Sequence, residues 1–480
     1  MRINLFIDNT DVETDEYTEV RDPGRLDVVV GHVAKGTVQD VDRAVKAAHQ
    51  AFQSWRKTPL DKRISILLKV ADRLESEASS IAEVVSKENG MLLNATKAEL
   101  SMAITAIRNL ADLAGDSFEP RVLEDETGWI SVEKKPMGVI AAIVPWNAPM
   151  VLTMQKLAPA VVTGNTLVFK PSPFAPMGVT VALKKVAEYF PSGVVNVIHG
   201  DGEVGAALTT HPLVRKISFT GGGATAKHVM KAAADSLKGI HFELGGNDPA
   251  VILDDANLNV VLPKIVTGAF RRTGQFCYAI KRVYIPQRMY EDAFEKVCEL
   301  VNNYKIGHQL DENATMGPLN NRQQYENIKE LKERIRNSSA KMVELGEKLD
   351  PAGWEDGYYL QPAVVRDVEP DHEIVTCEQF GPVLPLIPYR TEEEVIQMVN
   401  DSEYGLGSSI WSSDFDRAVQ LARQVESGMT FINGAGQTPL GYKYIPFGGV
   451  KQSGIGRENS EMIFDEYTET HGINYHKTTE

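Results

Sequence analysis

The sequence predicts an α/β protein built on an open, doubly wound parallel sheet, and two observations carry that reading. Short continuous apolar runs, "GVIAAIVPW", "NTLVFKP", "GVVNVIHG" and "VRKISFTG", alternate with helical patterns at Met150 to Val162 and Met177 to Glu188. Runs rich in Val and Ile and bounded by Gly or Pro read as strands buried on both faces within βαβ units. The Gly, Pro and Asn residues of this segment fall where those strands end, and open sheets of this kind bind ligands outside their carboxyl edges.

The earlier part of the chain reads as mainly helical over its first hundred residues. In "GTVQDVDRAVKAAHQAFQSWRK" the apolar positions Val41, Ala44, Val45, Ala48, Phe52 and Trp55 recur at helical spacing, with Thr37 placed to cap the start and Asp40 in the first turn. A second long helix is expected from about Asp61 to Asn89, stopped by Gly90, and a third from about Thr96 into the 110s. From "NDPAVILDDANL" a second series of strands and helices begins, which sets a domain boundary near Gly246. No internal repeat is visible.

At 480 residues the chain exceeds what one core supports, so two or three structural units are expected. A hydrophobic share of 43% with 24% charged residues is that of a folded globular protein. The net charge of −15 is spread along the chain, which argues against nucleic acid or an anionic membrane surface as partner. The start, "MRINLFIDNTDVETDEY", does not fit a signal or transit peptide, and no apolar run is long enough to span a bilayer. Cys277, Cys298 and Cys377 form no CxxC pair, so neither a disulfide framework nor a zinc site is expected. Free thiols suit a reducing, cytoplasmic location.

Several strand ends carry chemistry. Strand "KISF" leads into "TGGGATAKHVMKAAADSLK", which gives Gly221, Gly223 and Ala226 a G-x-G-x-x-A pattern able to seat a pyrophosphate on free helix amides. On the generic dinucleotide reading, Glu243 would hold a ribose hydroxyl. "VFKPSP" ends another strand at Lys170, a cation suited to ribose or phosphate, and "VPWNAP" fixes Asn147 between two prolines. In "FRRTGQFC" the thiol of Cys277 follows Arg271 and Arg272, which would acidify it if they face it. An alkylating reagent is then expected to label Cys277 ahead of Cys298 and Cys377. No histidine sits in a cysteine-hydrolase setting, and no ligand spacing calls for a metal.

Taken together, "VPWNAP", "VFKPS", "SFTGG", "FELGGNDP", "GQFC", "EQFGPV", "NDSEYGL" and "PFGGVKQSGIGRE" resemble the aldehyde dehydrogenase superfamily, in the family's order and over nearly the whole chain. The resemblance implies a Rossmann-type cofactor domain (1–117 and 137–245), an α/β catalytic domain (246–449) and a small β oligomerisation arm (118–136 and 460–480), assembled as a homodimer or homotetramer. It implies NAD or NADP as cofactor and a small-molecule aldehyde as substrate. Cys277 becomes the nucleophile, Asn147 and the Cys277 backbone N–H hold the oxyanion, and Glu243 activates water to hydrolyse the thioester. Glu243 thus exchanges a ribose for a chemical role. The same comparison gives Trp146, Lys170, Ser172, Gly221, Gly222, Glu378 and Phe380 to the cofactor and makes Lys156 a support for the Asn147 region.

Some positions depart from the family's pattern. Pro173 stands where many NAD-preferring members have a glutamate that repels a 2′-phosphate, which leaves NADP open. Gly222 replaces the usual serine, and Arg272 the common asparagine five residues before the nucleophile. Arg271 stands where succinate semialdehyde dehydrogenases carry an arginine for the substrate carboxylate, although the second arginine of that signature is Gln155 here. An acid semialdehyde is the leading expectation and an aromatic aldehyde the alternative, with Phe276 narrowing the pocket in either case. Acyl transfer to coenzyme A would not need Glu243. The alternative of another class is a catalytically silent structural or binding protein of the same fold.

Overall fold

The computed structural model describes residues 1–477, so the last three residues of the arm expected over 460–480 lie outside the described residues. The first large sheet has eight strands in the order Gly454–Ile455, Gly239–Glu243, Val214–Thr220, Val139–Val144, Thr166–Pro171, Val195–Val197, Leu5–Ile7 and Thr10–Val12. Its five central strands are parallel, and the short outer ones pair antiparallel. The chain leaves Val139–Val144 in one direction for two strands, then returns to its other side at Val214–Thr220. That reversal opens a crevice at the carboxyl ends of these two neighbours. Trp146 and Asn147 follow one of them, Gly221 and Gly222 the other.

The apolar runs are uninterrupted because both faces of the sheet are covered. Ile140, Ala142, Leu167 and Phe169 face one core, while Ala141 and Val168 face the other. Each fully buried aliphatic or aromatic side chain contributes about 1.5–3 kcal/mol. Thr37 caps the helix Val38–Trp55 through a capping box with Asp40, whose amide donates to the Thr37 hydroxyl at 3.3 Å. The helices Pro149–Val162 and Met177–Ala187 join the strands as their patterns indicate.

One expectation is corrected. Asp61 to Asn89 is not one helix: Leu60–Ser76 and Ala78–Asn89 are separated by Glu77 at φ −103° and ψ 4°. The Glu77 carboxylate is held by Lys185 at 2.8 Å, a tertiary contact that a periodic apolar pattern does not register. Gly90 does end the second of these helices, at φ 79°. The first hundred residues are mainly helical from Val38 onward, after an extended start in which Tyr17–Asp22 and Arg25–Ala34 form an antiparallel pair. These strands are half exposed, so their apolar residues are too sparse to show a clean period.

The second large sheet has seven strands, ordered Lys341–Glu344, Ala363–Arg366, Val383–Tyr389, Ile280–Pro286, Asp248–Ile252, Gly407–Trp411 and Met429–Ile432, all parallel except the first. The first sheet's last parallel strand ends at Glu243 and the second sheet begins at Asp248. A third, antiparallel sheet joins Arg121–Glu124, Gly128–Pro136 and Thr468–His476 and leaves Val122, Leu123, Ile130 and Tyr475 exposed. Among the described residues no helix is long and apolar enough to cross a membrane.

Candidate active site

The site lies between the carboxyl ends of the first sheet and the amino ends of the second. Glu243 is the last residue of its strand, and Asn147 sits on the turn after Val139–Val144. Cys277 follows the helix Leu258–Phe270 and a tight turn, three residues before the strand Ile280–Pro286. All three line one cavity of about 380 Å³, with Trp146, Gly221, Gly222, Glu378 and Phe380 on its walls. Cys277 and Asn147 also line a second, mainly apolar cavity of about 290 Å³, together with Arg271, Phe276 and Gln155. A thiol at the junction of two cavities can meet one molecule from each side.

The thiol is not acidified. Burial pushes its pKa well above the usual range, and the carboxylates of Glu243, Glu378 and Asp248 push it further, against Lys281. The two arginines line the apolar cavity with Cys277, and each is engaged with another group. The Arg271 guanidinium lies 4.9 Å over the Phe276 ring and donates to the Tyr278 hydroxyl at 3.3 Å. Arg272 donates to the Asn147 carbonyl at 2.9 Å. Cys377 is exposed and Cys277 is not, so iodoacetamide should modify Cys377 first in the cofactor-free protein, as peptide mapping would read.

Glu243 is buried, and neither carboxylate oxygen has a hydrogen-bond partner among the described residues. Burial raises its pKa well above the ordinary carboxylate value, with Glu458 adding to the effect and His241 opposing it. His241 lies two residues earlier on the same strand face, with Nε2 3.4 Å from Glu243 and Nδ1 3.4 Å from Glu466. Lys156 is fully buried, donating to the Ser218 hydroxyl at 3.1 Å and pairing with Glu458 at 3.3 Å. The Gly221 amide donates to the Glu243 carbonyl at 3.1 Å, which ties the glycine turn to the strand that carries Glu243.

On the cofactor side, Trp146 packs edge-on against Phe380 at 5.6 Å. Glu378 accepts from the Gly246 amide at 3.2 Å, and burial pushes its pKa up to about 7. A side chain at Gly245 would displace that carboxylate from its place. Gly222 and Gly223 would meet nothing, which leaves the amides at the start of the helix Gly223–Ala234 open to a phosphate. Lys170 is buried at the end of its strand with its pKa lowered to about 8 by burial, against Asp201. The Ser172 hydroxyl accepts from the Phe174 amide at 3.3 Å, a turn contact that leaves its own proton free to donate.

Residues 10–473 match the model of the aldehyde dehydrogenase family. The chain belongs to the aldehyde dehydrogenase family. It is an NAD(P)-dependent aldehyde dehydrogenase, and the silent-protein alternative is set aside. Relatives extend over the whole chain. FUS7 of Gibberella fujikuroi, described as an aldehyde dehydrogenase, is 33% identical over 422 residues, 88% of each chain. Betaine aldehyde dehydrogenase of Staphylococcus aureus, solved in complex with NAD+, is 30% identical with a TM-score of 0.95, covering 99% of this chain and 95% of its own. HpcC of Thermus thermophilus is 33% identical at a TM-score of 0.95, covering 99% and 93%.

Sequence reasoning missed two residues of this dehydrogenase's site. Glu99, on the helix Leu93–Ser117, is fully buried beside Asn147's turn, and its signal was a lone charge on the stripe marked by Thr96, Leu100, Ala103 and Ile107. His241 was readable from strand alternation, which puts it on the face of Glu243.

Proposed function

We propose that this aldehyde dehydrogenase oxidises an acid semialdehyde, such as succinate semialdehyde, to the free acid with NAD or NADP. The observation that carries the reading is Arg271, a cation on the wall of the cavity next to Cys277 with no carboxylate partner among the described residues. A guanidinium left unpaired beside the nucleophile suits a substrate carboxylate through two parallel hydrogen bonds. Gln155 adds an amide donor to the same cavity, bonded to Asn459 at 3.2 Å. The aromatic lining by Phe276, Tyr278, Phe431, Tyr442 and Phe447 favours an aromatic aldehyde as the second reading.

In this reading the Cys277 sulfur attacks the aldehyde carbon after its proton is taken, and Glu243, which lines the same cavity, is the base. The oxyanion of the resulting thiohemiacetal is held by the Asn147 side-chain amide and the Cys277 backbone N–H. When bound, the nicotinamide supplies the two-electron oxidation by accepting hydride from that carbon. Glu243 then activates the water that hydrolyses the thioester, which favours a free acid over transfer to coenzyme A. Trp146, Gly221, Gly222, Glu378 and Phe380 form the cofactor's bed, with Lys170 and Ser172 at the ribose end. Pro173 supplies no carboxylate against a 2′-phosphate, so NADP is open beside NAD.

The same reading takes 1–117 with 137–245 as the cofactor domain and 246–449 as the catalytic domain. The exposed apolar residues of the third sheet support an arm, 118–136 with 460–480, that pairs copies into a homodimer or homotetramer. Three unpaired cysteines support a cytoplasmic setting. The substrate reading is tested by Arg271→Ala. KM for succinate semialdehyde should rise about 10- to 100-fold, as for loss of a charged hydrogen-bonded pair, with KM for propanal nearly unchanged. Equal effects on both aldehydes would overturn the assignment, and a wild-type preference for benzaldehyde would favour the aromatic reading.

A further inference from the structure

Arg272 stands where the family's pattern has asparagine, and its surroundings give it a task of its own. Arg272 and Thr273 are both left-handed, at φ 53° and φ 58°, a costly backbone for two consecutive residues that are not glycine. The turn is held from several sides. The Gln275 amide donates to the Arg272 carbonyl at 3.1 Å, and the Thr273 hydroxyl to the Gly317 carbonyl at 3.0 Å. The consequence is to direct the Arg272 side chain beneath the Asn147 turn. There Nη1 donates to the Asn147 carbonyl at 2.9 Å, and Nη2 lies 3.5 Å from Glu99 Oε2.

Glu99 completes the arrangement. Its other oxygen accepts from the amides of Met150 at 2.8 Å and Val151 at 3.1 Å, the first turn of the helix Pro149–Val162. That helix has no side-chain cap of its own, so Glu99 caps it from a neighbouring helix. The second oxygen of this fully buried carboxylate makes no hydrogen bond among the described residues, and the Arg272 guanidinium 3.5 Å away is the countercharge that faces it. Asn147 is thereby clamped on both sides, at its own carbonyl by Arg272 and through the next turn by Glu99.

We propose that the Arg272–Glu99 pair is a positioning device that ties the turn carrying Cys277 to the turn carrying Asn147 and so sets the two oxyanion donors against each other. The inference rests on the reading of Asn147 as an oxyanion donor. Neither residue touches the reacting atoms; both act through Asn147.

Arg272 lines the 290 Å³ cavity, so a small cation can reach its place once the side chain is removed. The test measures turnover of propanal, which makes no use of Arg271, together with cofactor affinity by fluorescence titration. Arg272→Ala should lower kcat about 10- to 100-fold, the scale of a small misplacement of catalytic groups, with cofactor affinity unchanged. Added guanidinium chloride at millimolar concentration should restore much of the loss, while equal sodium chloride or urea should not. Glu99→Gln should lower kcat in the same direction, and the double variant should lose less than the product of the two losses. Wild-type kcat in Arg272→Ala, or a loss that guanidinium does not restore, would overturn the proposal. If Arg272→Ala does not fold, Arg272→Lys decides: a lower kcat at unchanged cofactor affinity supports the pair, and wild-type kcat overturns it. Asn147→Ala separates the two readings, since an Asn147→Ala enzyme of full activity would remove the oxyanion assignment itself.

Discussion

Replacing Cys277 with alanine should leave an enzyme that binds its cofactor but forms no reduced cofactor with any aldehyde. In the proposed mechanism the oxidation is built on a carbon–sulfur bond to this thiol, and among the described residues no second nucleophile lines both cavities. Loss of a nucleophile from a catalytic unit that acts together costs on the order of 10⁴-fold or more. Cys277→Ser should fail nearly as completely, because a hydroxyl in a site that already raises a thiol's pKa is harder still to deprotonate. Steady-state absorbance of the reduced cofactor reads the loss, and a fluorescence titration shows that binding survives. Substantial turnover in either variant would remove Cys277 from its role.

The second large effect belongs to Glu243→Gln. Its amide occupies the same space but takes no proton, so hydrolysis of the thioester should slow about 10²- to 10⁴-fold, the usual worth of a general base. If the base is needed only for hydrolysis, rapid mixing should show one equivalent of reduced cofactor per site followed by a slow steady state. If Glu243 also takes the thiol proton, the burst itself should slow and recover at higher pH. The sign of the wild-type pH dependence follows from burial. Glu243 acts only when ionised, and burial raises its pKa, so kcat should climb along a limb displaced to higher pH than an ordinary carboxylate near 4.5 would give. His241 opposes that displacement, and His241→Asn should carry the limb to still higher pH.

How far the sequence disclosed this arrangement depended on range. The parallel strands were legible because each run is buried on both faces, so Ile140, Ala141 and Ala142 alternate between two cores without a polar break. Asn147 and Gly221 were legible because each sits one to three residues beyond such a strand, whereas the role of Glu243 as base was reached only through the family resemblance. The break at Glu77 was not, since its partner Lys185 lies on another helix. The direction of Arg271 and Arg272 was hidden for the same reason. Spacing puts both beside Cys277, but two left-handed residues turn one of them under Asn147 and the Phe276 ring stacks the other. The raised thiol pKa could not be read either, because it comes from burial first and then from the carboxylates of Glu243, Glu378 and Asp248, all distant in sequence.

Intact-protein mass spectrometry of Glu243→Gln, quenched in acid after mixing with succinate semialdehyde and cofactor, tests the thioester itself. A covalent acyl adduct, one per chain, should appear, map to Cys277 on peptide mapping and decay slowly. Reduced cofactor formed without any adduct on Cys277, or with the acyl group on another residue, would contradict covalent catalysis by Cys277.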